Sequence, residues 1–329
     1  MTVIDVHTHM MSKEWLDMLG QNGAPKYALR KTKAGQDSIF MHDAPFVTLF
    51  REMFDFDLRI ENMDKAGVDL AIVSLTCPSA FFGNQAQSLA AARTINDTMV
   101  EQQERHAGRI RWFATLPWQY ADAAKAELKR AVENGAVGVF VSANIDEKSL
   151  TEAQFKPVWQ AIDDLGLPVL VHPTAPQGAD KLQMHEYGLI PPIGFMFDTT
   201  LAISRMIFDG FFDRYPNLKI IAAHGGATLP YLAGRLDRCY EQIPACAEVI
   251  NRPPSEYLRE KIYYDAVVYD EDALELLIKC AGGADRVMFG SDYPHNIGDM
   301  VGCLARVNSL DSSTSKIIKS SAAERLFNL

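Results

Sequence analysis

Val3-Ile4-Asp5-Val6-His7-Thr8-His9 is a short apolar run that ends in two histidines one residue apart. Val3, Ile4 and Val6 are too few for a helix and are residue types of a buried strand. Side chains alternate between the faces of a strand, so His7 and His9 share a face opposite Thr8. Two imidazoles on one side of a strand end make half a metal site, because neutral imidazole is a favoured ligand for zinc and its neighbours. An isolated His-x-His also fits surface or hydrogen-bonded core histidines, so the rest of the chain decides.

Outward from this strand, one pattern repeats. Residues 58–66 read as a helix stopped by Gly67, and 70–75 as a buried strand. Further helices are expected over 86–105, 121–134, 151–165, 200–215, 228–240 and 270–281. Between and after them lie short apolar strands over 110–116, 136–141, 168–173, 218–224, 261–267 and 286–292. Eight strands alternating with helices predict an α/β protein with a parallel sheet closed into a (β/α)8 TIM barrel. No Gly-x-Gly-x-x-Gly follows an early strand, which argues against an open, doubly wound sheet.

Two stretches interrupt the alternation. Residues 10–57, with Gly20, Gly23, Pro25, Gly35 and Pro45, are too long for an ordinary loop and predict a hairpin or helices over the barrel mouth. Residues 174–197 form a second insertion, carrying Tyr187, Phe195, Met196 and Phe197. These side chains either floor an apolar substrate pocket or pack under the loop. Residues 301–329 read as C-terminal capping helices, and nothing divides 1–329 into more than one domain.

A formal charge of −10, without a block of like charges, argues against nucleic acid as the main partner. No apolar run reaches membrane-spanning length and the N-terminus lacks signal-peptide regions, so a cytoplasmic protein is expected. The five cysteines show no C-x-x-C and are read as small core residues.

Parallel barrels carry their chemistry where strands end. Here strand one ends in His7 and His9, strand five in His172, strand six in His224 and strand eight in Asp292. Metal ligands and proton carriers therefore fall on one rim, while His42, His106, His185 and His295 lie outside the pattern, although His42, His185 and His295 are in loops that could approach the mouth.

His-x-His on strand one, Val-His-Pro at 171–173, Ala-His-Gly-Gly at 223–226 and Gly-Ser-Asp-Tyr-Pro at 290–294 resemble the metal-dependent amidohydrolase superfamily. Arg-Pro-Pro-Ser-Glu-Tyr at 252–257 and Gly-Arg-Leu-Asp at 234–237 narrow the resemblance. They point to the branch of 2-amino-3-carboxymuconate-6-semialdehyde decarboxylase and related aromatic-acid decarboxylases. The resemblance implies His7, His9, His172 and Asp292 as ligands of one divalent ion, zinc first and manganese second. It makes His224, with Asp292, the catalytic pair. Strand four ends Val141-Ser142-Ala143-Asn144, without the lysine or glutamate that bridges two metals in dinuclear members.

The resemblance also implies a homodimer in which Arg235 reaches the neighbour's site to hold a substrate carboxylate. A second carboxylate-binding arginine of the branch falls at Val47, which cannot serve. Arg51, one helical turn on, is either its substitute or a solvated arginine. Phe195 is the candidate aromatic contact. The expected activity is non-oxidative decarboxylation of a small unsaturated or aromatic carboxylic acid. The alternative is hydrolysis of a C–N or lactone C–O bond by metal-activated water, which needs the same residues.

Overall fold

The computed structural model describes residues 2–329. Eight parallel strands follow one another around a barrel in sequence order. They are β1 (Ile4–His9), β2 (Leu70–Ser74), β3 (Ile110–Thr115), β4 (Gly138–Ser142), β5 (Pro168–His172), β6 (Lys219–Ala222), β7 (Ile262–Asp265) and β8 (Val287–Met288). β8 is shorter than the expected 286–292, because from Phe289 the chain bends toward β1 instead of continuing beside β7. The barrel closes there through Val6 N–H to Phe289 O at 3.0 Å, Asp292 N–H to His7 O at 2.8 Å and His9 N–H to Tyr293 O at 2.7 Å.

Helices cover the outside, and sequence punctuation ends them as expected. The helices Phe56–Ala66 and Lys156–Leu165 stop at Gly67 and Gly166, which adopt left-handed φ of 77° and 60°. The helix expected over 200–215 instead spans Phe195–Phe208. It begins directly after Pro191-Pro192-Ile193-Gly194 and breaks before the short turn Phe211–Arg214, where Gly210 takes φ 67°. Phe195 therefore stands in the first turn of a helix and not in a loop.

The first insertion forms the helix Lys13–Asn22 and a three-stranded antiparallel sheet of Tyr27–Lys31, Asp37–Met41 and Ala44–Thr48. At the other end the C-terminal helix Ala322–Phe327 plugs the barrel. Its Ala322, Ala323, Leu326 and Phe327 pack with Ile4, Val6, Leu70, Phe113, Phe140, Leu170, Ile221 and Met288. Phe113 and Phe327 meet edge to face at 5.6 Å. No helix among the described residues is long and apolar enough to cross a membrane.

Candidate metal centre

Strand alternation alone places Ile4 and Val6 on the face opposite His7 and His9. A bulge changes this. Asp5 pairs with Ala71 and Thr8 with Val73, so β1 carries one more residue than β2 over the same span. Val6 and His7 consequently both face inward, Val6 into the apolar plug and His7 against His172 and His224. Asp5 turns aside and accepts a hydrogen bond from Ser291 Oγ at 2.5 Å.

Each of three buried imidazoles has its Nδ1 engaged. His7 Nδ1 lies 2.6 Å from Asp265 Oδ2, His9 Nδ1 3.2 Å from Leu75 O, and His172 Nδ1 2.8 Å from Pro173 O. These acceptors place the proton on Nδ1 and leave a lone pair on each Nε2. The Nε2 atoms of His7 and His9 nevertheless face each other at 3.1 Å. Asp292 Oδ1 stands 3.4 Å from the first and 3.2 Å from the second. His172 Nε2 and Asp292 Oδ1 are buried without a hydrogen-bond partner. Lone pairs aimed at one another in a buried site are mutually repulsive, and a divalent cation among them removes the conflict. The donor set of imidazole nitrogens and one carboxylate oxygen fits such an ion.

His224 sits on the opposite wall in a left-handed conformation, φ 55°. Asp265 holds its turn, accepting from His224 N–H at 2.8 Å and Gly225 N–H at 2.9 Å. A Cβ on Gly226 would come within 2.7 Å of the Tyr264 ring, so the Ala-His-Gly-Gly turn tolerates no side chain there. His224 Nε2 is 3.5 Å from Asp292 Oδ2, and its Nδ1 is buried without a partner. One ligand atom each from His7, His172, His224 and Asp292 lies within 4.8 Å of the others, and the same holds for His9, Asp292 and His295.

Burial and neighbouring charge set the protonation states. Burial pulls His9 down to about 3 and holds His172 well below the ordinary histidine value, which keeps both neutral and able to bind metal. Burial also opposes protonation of His7, but the adjacent Asp265 carboxylate outweighs it and raises its pKa. Burial disfavours the Asp292 carboxylate, yet His224, whose Nε2 faces Oδ2 at 3.5 Å, and the other imidazoles around it prevail and hold it well below the ordinary carboxylate value.

A profile of the family described as Amidohydrolase matches residues 4–301. The chain belongs to this amidohydrolase family. It is 31% identical over 306 residues to the 2-amino-3-carboxymuconate-6-semialdehyde decarboxylase of Dictyostelium discoideum, covering 91% of this chain and 83% of that protein. A solved IDCase of Metarhizium anisopliae, in apo form, superposes with a TM-score of 0.88 at 26% identity, covering 99% of this chain and 97% of the other. A dihydroxybenzoic acid decarboxylase of Polaromonas sp. JS666, solved with manganese and the inhibitor 2-nitroresorcinol, superposes with a TM-score of 0.82 at 25% identity. That alignment covers 100% of this chain and 97% of the other.

Above the metal cluster this amidohydrolase has a cleft of about 340 Å³. Pro45, Phe46 and Val47 of the insertion sheet form one wall, and Ile190, Pro191 and Phe195 another. His172, His224, Asp292 and His295 also line it. Phe195 is thus at the cleft, its ring 6.4 Å from that of His172. Arg51 is not. Its exposed guanidinium is held by Asp55 at 2.8 and 3.0 Å, outside the residues that line the cleft. Local chemistry wins here, because Asp55 at the N-cap of the following helix lies four residues away and within easy reach. Arg235 is exposed on the helix Leu229–Gln242 and does not line the cleft of its own chain.

One functional residue was not singled out by the sequence, and another lay in a loop expected near the mouth. Asp265 supports both His7 and the His224 turn, and its only sequence signal is a carboxylate closing the apolar strand Ile262–Asp265. His295 reaches the cleft from the turn after Asp292, with Nε2 3.0 Å from Thr76 Oγ1 and its ring 5.0 Å from His9.

Proposed function

We propose that this amidohydrolase is a metal-dependent, non-oxidative decarboxylase of a small aromatic or unsaturated carboxylic acid. The observation that carries the reading is the approach of His7 and His9 Nε2 to Asp292 Oδ1, with the unpaired Nε2 of His172 buried beside them, beneath a cleft with largely apolar walls. The decarboxylases among its relatives support the reaction class.

His7, His9, His172 and Asp292 would hold one divalent ion. Ligand chemistry favours zinc, and the manganese in the Polaromonas relative makes that ion the alternative. Once bound, the ion supplies Lewis-acid stabilisation of the charge that develops as carbon dioxide leaves. Asp265 keeps His7 in the required tautomer through the 2.6 Å contact to Nδ1. His224, with Asp292 at 3.5 Å, delivers or relays the proton that replaces the lost carboxylate. Phe46, Val47, Ile190 and Phe195 exclude water and pack against an apolar ring. Arg235, exposed on its helix, would bind a substrate carboxylate in the site of a second copy within a homodimer.

The test is product analysis of metal-loaded protein with hydroxybenzoates and muconate-type acids. Release of carbon dioxide with the decarboxylated product is expected. Ring-opened or deamidated products of amide and lactone substrates, with no carbon dioxide from any acid, would reassign the site to hydrolysis.

A further inference from the structure

We infer that Arg59 is a positioning residue that sets the metal affinity of this site, by clamping the first and last barrel strands together where His9 and Asp292 meet. The inference rests on the metal assignment above.

Arg59 projects from the helix Phe56–Ala66 and is fully buried. No carboxylate among the described residues forms an ion pair with it, so its charge is offset by directed contacts instead. Nη1 donates to Thr8 Oγ1 at 2.7 Å and Nη2 to His9 O at 2.5 Å, while the guanidinium lies 4.6 Å from the centre of the Tyr293 ring. Thr8 Oγ1 donates in turn to Tyr293 O at 3.0 Å, and His9 N–H donates to the same oxygen at 2.7 Å. One turn along the helix, Asn62 Nδ2 donates to Tyr293 Oη at 3.0 Å. Arg59, Thr8 and Tyr293 therefore form a closed circuit across the seam of the barrel.

The seam needs such a device. β8 is a paired strand only over Val287–Met288, and the chain beyond it meets β1 through a few isolated hydrogen bonds. Asp292 is held there at φ 56°, a left-handed conformation that its surroundings must maintain. His9 hangs from one side of the seam and Asp292 from the other, and slippage between them alters the spacing of two ligands at once. A well-formed metal site keeps its ligand distances within about ±0.2 Å of the ion's usual values. Arginine suits this task because its planar fork reaches two diverging oxygens and stacks on an aromatic face, which a lysine ammonium does not do together.

The experiment measures the dissociation constant of Mn2+ for metal-stripped protein by competition with a fluorescent chelator, with circular dichroism as the check of fold. Arg59→Met should weaken binding by about 10–100-fold, the usual effect of losing support behind a ligand. Arg59→Lys should recover part of the loss. Thr8→Val, which opens the circuit without removing a charge, should weaken binding in the same direction by less. A folded Arg59→Met protein with unchanged affinity overturns the inference. Should that variant not fold, Thr8→Val decides: weakened binding supports the clamp and unchanged binding overturns it. Wild-type protein that takes up neither Mn2+ nor Zn2+ would bring down the metal assignment, and this inference with it.

Discussion

The two ends of the barrel interior are built from the same eight strands and obey opposite rules. At the N-terminal end, Leu70, Phe113, Phe140, Leu170 and Ile221 close around Phe327 and Leu326 with no polar atom among their side chains. Two residues further along, Phe140 gives way to Ser142 and Leu170 to His172, with His7, His9, His224, Asp265 and Asp292 at the same level. A step of two residues is about 7 Å along a strand. Over that distance a layer stabilised by apolar burial becomes one whose lone pairs oppose each other. The plug end adds apolar burial to the fold, and the open end retains the unsatisfied groups that chemistry requires.

If the ends are independent, His172→Ala should have the largest effect on function. Metal analysis should find most of the bound ion gone, and carbon dioxide release should vanish with it, while the unfolding midpoint of the metal-free protein changes little. A large fall in that midpoint would show that the imidazole layer also carries the fold. His224→Ala comes next. Metal content should persist while turnover falls by about 10²–10⁴-fold, the range for a positioned acid–base group. Loss of metal equal to that in His172→Ala would move His224 into the ligand set.

Phe327→Ala reverses the test at the plug end. It should destabilise the protein by about 3–5 kcal/mol, measured by denaturant unfolding, because it empties a filled core. Metal affinity should remain unchanged, and a parallel loss would mean that strain crosses the barrel. The smallest effect is that of pH on the metal-free protein. His9 and His172 have pKa values depressed by burial, so in the folded state they bind fewer protons than when unfolded. Their contribution to stability is present above 6.5, the ordinary histidine value, and is lost as pH falls toward the folded value of about 3 for His9. His7, raised by Asp265, acts in the opposite sense. Its contribution is fully present below 6.5 and is lost only as pH rises above that value, so it does not change over the acid range. Unfolding midpoints should therefore fall modestly between pH 6.5 and 4, and a midpoint that rises instead would identify the buried carboxyls Asp5 and Asp198, raised to about 6 and about 7, as the dominant groups.

Much of this architecture is local in origin, and what is local was legible. Short apolar strands alternating with helices, and stops at Gly67 and Gly166, specify a parallel barrel because backbone periodicity and left-handed conformations are properties of a few adjacent residues. Parallel strands all end on one face, so the sequence by itself determined that His7, His9, His172, His224 and Asp292 reach a single rim. What it left open depends on partners far away in the chain. The bulge that turns Val6 and His7 inward together is set by the register of β1 against β2. Asp265 meets His7 across 258 positions, and the choice between the two readings of Arg51 is made by Asp55, which holds it outside the cleft. The closing of the barrel on Tyr293, with Arg59 behind it, was equally hidden. Burial, register and charge pairing are properties of the assembled barrel, and only the tertiary structure decided them.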